Sequence, residues 1–369
     1  MSKKFIISIA TLAIVGIVAA FAIFLAKGYT FSPKEKRIVG TGIITITSEP
    51  DAASVFIDGH LTTATNATVS SLPPKNYSVR VIKEGFIPWE KQVSVKEGLV
   101  TDVKITLFPA IPTIYPLTFS GVENPTLSPD GSKLAYVVPL SASDGIINKK
   151  AGVWVWTQTR NQPISFARSA EPHQIAQSTS TDFSKASLQW SSDSKQVLAT
   201  VEDNNYLLEF DRLNSDPRDI TPILQATVNS WEEDTRLKNE ARVLAIKDIT
   251  FRQIASSAAI VRWSPDETKF MAGKAETDLK VYNLENKKEY SLLTARAHIW
   301  LPNSMHVILI EEKTISIADF DGTNKAVIYA GSFQDDFVFP WLDSSRLVII
   351  SSFPTPTASE PNLFGVNLR

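Results

Sequence analysis

The chain contains no cysteine. That excludes disulfides, thiolate metal centres and cysteine nucleophiles together. It is compatible with an oxidising compartment but does not require one. A marked excess of charge of either sign is also missing: 37 Lys and Arg face 39 Asp and Glu, a net charge of −2. No basic field exists to hold nucleic acid, so nucleic acid is excluded as a partner. Histidine is scarce. His60, His173, His298 and His306 fall in separate stretches, and none has HExxH or another metal-ligand spacing. No GxSxG elbow, P-loop or GxGxxG is present. No catalytic, cofactor or metal site is therefore assigned from the sequence, and a non-enzyme is expected.

One long apolar run is present. Phe5 to Ala26 is 22 residues without a charge. At about 1.5 Å per residue it reaches about 33 Å, enough for a hydrocarbon core of about 30 Å. A cleaved signal peptide has a shorter core of about 7–15 residues, so residues 1–27 read as an uncleaved anchor, with cleavage after a small residue such as Ala20 or Ala22 as the alternative. Lys3 and Lys4 favour a cytoplasmic N-terminus, although Lys34, Lys36 and Arg37 weaken that bias. Residues 28–41 then read as a polar tether.

From Gly42 apolar and polar residues alternate, as in a half-buried strand. Asp58-Gly59 marks a hairpin, because Gly accepts positive φ without steric cost. Further strands are expected over Tyr77–Lys83, Trp89–Val95 and Val100–Leu107. The stretches ITITSEPDAASVFIDG and LPPKNYSVRVIKEGFIPWEKQVSV resemble the PEGA domain, a short extracytoplasmic β-sandwich. Pro50-Asp51-Ala52-Ala53 stands where the family has its Pro-Glu-Gly-Ala signature, and Thr62–Ser71 replaces its Gly-x-Thr-Pro. The resemblance covers residues 42–109. It implies a surface-protein module without catalysis. Phe86 and Trp89 read as core fillers rather than a sugar-stacking pair.

The rest of the chain carries an internal repeat. LSPDGSKL at Leu127, WSSDSKQV at Trp190, WSPDETKF at Trp263, WLPNSMHV at Trp300 and WLDSSRLV at Trp341 align without a gap. Each has a large apolar residue first. Asp130, Asp193, Asp266, Asn303 and Ser344 stand three positions on, where a short polar side chain caps a turn. Further strands follow each copy, with outer strands expected at Pro163–Ala167, Arg218–Ile223, Glu289–Thr294 and Ala326–Tyr329. The last copy lacks an outer strand, and Pro112–Thr118 is expected to supply it and close a ring. The repeats resemble TolB-type and WD40-type β-propellers, with the Gly-His and Trp-Asp marks of WD40 missing.

Copies start 63, 73, 37 and 41 residues apart. A blade needs about 40–45, so the first two intervals carry insertions. In the second, Val228, Trp231, Leu237, Ala241 and Leu244 approximate helical spacing among charges, which predicts an amphipathic helix or helical pair over about 227–257. The fold class is all-β: an N-terminal transmembrane helix, a PEGA-type sandwich, and over 110–369 a five-bladed β-propeller with a helical insertion. Six blades result if that insertion hides a degenerate one.

Trp154 and Trp156 share one face of a strand, and Trp231 lies on the insertion. Exposed, they offer apolar platforms; buried, they pack sheets together. The combination looks like membrane-anchored PEGA-domain surface proteins of bacteria. The expected function is extracytoplasmic binding or scaffolding of a protein or cell-surface glycan. The alternatives are a hydrolase or lyase in the propeller channel, and a sensor ectodomain acting through a membrane partner. No cofactor is implied.

Overall fold

The computed structural model describes residues 11–19, 29–32, 37–140, 150–158, 171–334, 337–353 and 361–369. Residues 11–19 are helical with exposed side chains. The remainder of the predicted span Phe5–Ala26 lies outside the described residues. Among the described residues no helix is long and apolar enough to cross a membrane. The chain divides into two compact units, Met1–Ile111 and Pro112–Arg369.

In the first unit, the stretch read as a tether contains a two-stranded hairpin of Tyr29–Ser32 and Arg37–Gly40. Two sheets follow. Gly42–Glu49 lies between Ala67–Leu72 and Val100–Thr106, and His60–Ala64, Ser54–Ile57, Asn76–Ile82 and Trp89–Ser94 form the other sheet. The Asp58-Gly59 hairpin is present: Ile57 pairs with His60, and both turn residues have positive φ. Alternation puts Ile44, Ile46, Val55, Val79 and Val81 fully inside. Each contributes about 1.5–3 kcal/mol through burial. Trp89 is buried in that core and Phe86 packs against it, so neither forms a sugar platform.

Among the described residues the second unit holds five four-stranded antiparallel sheets. The first four are runs of consecutive strands. The fifth joins Ile114–Pro116 to Asn362–Asn367, Arg346–Ser351 and Val338–Pro340. Ile114 pairs with Val366, Tyr115 with Gly365 and Pro116 with Phe364. The strand before the first repeat is therefore the outer strand of the last.

Four of the five successive sheet neighbours pack directly on one another, and the second and third are separated by helices. Val137 and Val155 of the first sheet pack with Val197 and Leu208 of the second. Met271 and Val281 of the third pack with Val307 and Leu309 of the fourth. Tyr329 of the fourth meets Phe353, which stands edge-on to Phe364 of the fifth. Tyr136 and Trp156 of the first pack with Phe339, Trp341 and Val348 of the fifth.

Between the second and third sheets a helical hairpin intervenes: α1 (Leu224–Ala245) and α2 (Ile249–Ser257). Phe251 and Ala255 of α2 cover Phe270, Ala272 and Tyr282, the face of the third sheet turned away from the fourth. Asp248 caps α2 by accepting from the Thr250 and Phe251 amides. α1 differs from the amphipathic expectation, for none of its residues is buried and Leu237 and Leu244 are exposed. Val243 near its end packs against the third-sheet cluster, and charged side chains tie the rest of the helix to the neighbouring turns. Ser192 donates to Asp234, Lys238 donates to the Ser192 carbonyl, and Arg242 pairs with Glu267.

One further expectation lies outside the described residues and another is corrected. Pro163–Ala167 lies outside the described residues, and among the described residues the outer strand of the first sheet is His173–Gln177. The fifth repeat copy starts one residue earlier than the sequence alignment placed it. The amides of Ser128, Ser191, Ser264, Leu301 and Trp341 each donate to the carbonyl five residues on. Trp341 thus stands at the second position, Pro340 at the first, and Asp343, not Ser344, is the capping residue. Its carboxylate accepts from the Ser345 amide at 2.9 Å.

Candidate functional site

Each octapeptide turn is built from its own side chains. In the first, the Asp130 carboxylate accepts from the Ser128 hydroxyl at 2.6 Å, from the Ser132 amide at 2.9 Å and from Lys133 Nζ at 3.0 Å. Burial opposes the charge on Asp130, but these hydrogen bonds outweigh it and hold the carboxyl at about 2. Burial likewise opposes the charge on Asp266, but the Ser264 and Thr268 hydrogen bonds and the nearby Lys269 charge outweigh it and lower that carboxyl. The fifth residue of all five turns has positive φ: Gly131, Ser194, Glu267, Ser304 and Ser344. Glycine supplies that conformation only once, so the remaining turns carry modest strain.

The turns of the first, third, fourth and fifth sheets converge with α1 on a cavity of about 450 Å³. Their convergence places it at the turn-side mouth of the ring. Its apolar rim includes Leu127, Pro129, Trp263, Pro265, Ile299 and Pro302, and Asn239 and Arg242 reach it from α1. Arg242 is held by Glu267 at 2.8 Å.

Trp263 is the distinctive residue here. Trp190 donates its indole N–H to the Thr126 carbonyl of the preceding sheet at 3.1 Å, and Trp300 donates to the Arg262 carbonyl at 3.0 Å. Trp263 is the equivalent residue of the third sheet, whose preceding neighbour in the chain is the helical hairpin. Its ring leans on Phe270 with centroids 5.4 Å apart, and it is half-buried. Among the described residues its indole N–H has no partner.

The three tryptophans picked from sequence do not assemble. Trp156 is buried, edge-on to Trp341 at 5.1 Å, and joins the first sheet to the fifth. It is not an exposed platform. Trp154 shares that face but is half-buried, and it lines a separate, smaller cavity. Trp231 is half-buried on α1, away from the mouth lining. The signal that could have found Trp263 was the insertion immediately before its repeat copy, which deprives it of an adjoining sheet.

The histidines are packing residues where they are buried. His298 bridges Glu276 and the Leu293 carbonyl. His306 contacts Asn303 and Asp319, in the position held by Lys133 and Lys269 in other copies. Among the described residues no three His, Asp or Glu side chains converge to hold a metal ion.

The family model of the PEGA domain matches residues 41–111. No curated protein matches the chain. Among solved structures, TolB from Acinetobacter baumannii is 11% identical with a TM-score of 0.23, over 80% of this chain and 60% of that one. The chain thus spans less than two thirds of that protein. A putative TolB from Agrobacterium tumefaciens is 14% identical with a TM-score of 0.24, over 69% of this chain and 89% of that one. An oligogalacturonate lyase in complex with manganese is 9% identical with a TM-score of 0.24, over 79% and 74%. At scores this low none of these likenesses bears on function, and the ring rests on its own strand pairing.

Proposed function

We propose that this chain is an extracytoplasmic binding protein, anchored through Phe5–Ala26, whose five-bladed ring presents its turn-side mouth to an extended segment of a partner protein. The observation that carries this reading is Trp263: a half-buried indole with an unpaired N–H, at the rim of a cavity bordered by Pro129, Pro265 and Pro302. Such a surface offers an apolar wall and one donor for a backbone carbonyl, the pairing by which aromatic grooves take extended peptides. A cavity of about 450 Å³ accommodates a few side chains.

The mouth's charged groups favour binding over catalysis. Asp130 accepts from three neighbours, and Glu267 is paired with Arg242. A general acid or base needs a carboxyl free to exchange a proton with substrate, and these two are committed to the turns.

The test is selection of peptides from a random display library on the full chain in lipid nanodiscs. The reading expects extended apolar sequences whose affinity falls about tenfold or more in Trp263→Ala, since aromatic anchors dominate such contacts. Selected peptides that bind Trp263→Ala unchanged would contradict it.

A further inference from the structure

A second cavity, of about 170 Å³, lies at the other end of the first sheet's strands from its octapeptide turn. Val138, the last residue of Lys133–Val138, lines it, together with Tyr136, Trp154, Phe119 and Leu117. All belong to the second unit. Tyr136 and Trp154 are directly paired across adjacent strands, so their side chains stand side by side on one face.

Tyr136 is 2% exposed. Its hydroxyl has no hydrogen-bond partner among the described residues, although it borders the cavity. Burial alone pushes that hydroxyl well above its ordinary range, so it stays protonated and remains a donor. Leaving such a group unpaired when the cavity fills is costly, so an entirely apolar occupant is disfavoured. Trp154 is already oriented: its indole N–H donates to the Lys150 carbonyl at 2.7 Å, which fixes the ring and leaves its face available. Phe119 is 63% exposed at the rim.

We infer that this cavity binds a single uncharged hydroxylated ring, a pyranose unit of a glycan, with its C–H face on Trp154 and a hydroxyl on Tyr136. The apolar walls suit the C–H face. The unpaired phenol requires an oxygen at the floor. The volume is below the roughly 300–1,000 Å³ of drug-sized pockets, so one ring fits and two do not. This site is separate from the turn-side mouth and stands or falls independently of it.

The experiment is saturation-transfer NMR on the full chain in lipid nanodiscs. The probes are the methyl glycosides of glucose, galactose, mannose and N-acetylglucosamine. At least one gives transfer, strongest at the ring protons of one face. Tyr136→Phe, which removes only the oxygen, weakens it about tenfold. Phe119→Ala, at an exposed position that tolerates truncation, weakens it less, and Trp263→Ala leaves it unchanged. Absence of transfer from all four glycosides overturns the inference. So does transfer that survives Tyr136→Phe at full strength while the variant keeps the wild-type melting temperature.

Discussion

Tyr115 lies directly over Gly365: a Cβ added at Gly365 would sit 2.7 Å from Cζ of the Tyr115 ring. These two residues are register partners in the pairing that joins the first strand of the ring to its last. Gly365→Val should therefore push the clasp strand away and cost about 1–3 kcal/mol, as overpacking does. Chemical denaturation followed by tryptophan fluorescence measures it. Unchanged stability would mean that the clasp is not packed this way.

The turn aspartates make the ring sensitive to acid. Asp130 is held at about 2, and Asp193 and Asp266 are also lowered, Asp193 chiefly by the Ser191 hydroxyl. A carboxyl with a depressed folded-state value stabilises above its unfolded value of about 4 and loses that contribution as pH falls toward the folded value. Stability should hold from pH 7 to 5 and fall between about pH 4 and 2. Denaturation at stepped pH checks this, and Asp130→Asn should flatten part of the slope. Equal stability at pH 5 and pH 2.5 would refute it.

The one-residue shift of the fifth repeat copy has its own test. Asp343 accepts from the Ser345 amide, whereas Ser344 sits at φ 58°. Asp343→Ala should destabilise by about 1 kcal/mol through the lost cap. Ser344→Gly should be neutral or slightly stabilising, because Gly adopts that backbone freely. The reverse pattern in melting temperatures would restore the unshifted alignment.

Four of the five turns were readable because their capping residue and following strand are local, and local chemistry is written in adjacent residues. Ser128, Asp130 and Lys133 are such a set. The fifth was misread by one because Trp341 imitates a leading tryptophan, and the register shows in the fold, as in the pairing of Pro340 with Leu347. His173–Gln177 was missed as a strand since two of its five residues are glutamine and Ser/Thr-rich chain follows it. The parallel pairing of Gly42–Glu49 with Val100–Thr106 is a long-range fact, with the same alternation as an antiparallel pair.

The candidate sites were less legible than the fold. Alternation placed Trp154 and Trp156 on one face, as Tyr136↔Trp154 and Leu134↔Trp156 show. It could not say that Trp341 would bury one and leave the other beside a cavity. Trp263 and Tyr136 owe their interest to missing partners, and a missing partner leaves no mark in a single sequence. Most apolar positions of α1 imitate a packing face; Val243 alone among them joins a core cluster, and polar links from Asp234, Lys238 and Arg242 help hold the helix.

Helix α2 should be energetically part of the ring. Phe251 meets Tyr282 edge-on at 5.2 Å, and Phe270 is fully buried beneath. Phe251→Ala should cost about 3–5 kcal/mol by leaving a cavity against the third sheet. Leu237→Ala on exposed α1 should cost under about 0.5 kcal/mol. Parallel denaturation curves separate the two, and similar losses would show that α1 carries a packed face.

Both binding sites depend on the ring being closed by its first strand. The absence of native cysteine makes this directly measurable. Thr113 Oγ1 accepts from Asn367 Nδ2 at 2.8 Å, and the Asn367 amide donates to the Thr113 carbonyl. The double variant Thr113→Cys, Asn367→Cys should form an intramolecular disulfide under mild oxidation, detected by mass spectrometry of the intact full chain. Two thiols that stay free under those conditions, in protein with wild-type melting behaviour, would contradict the closed ring.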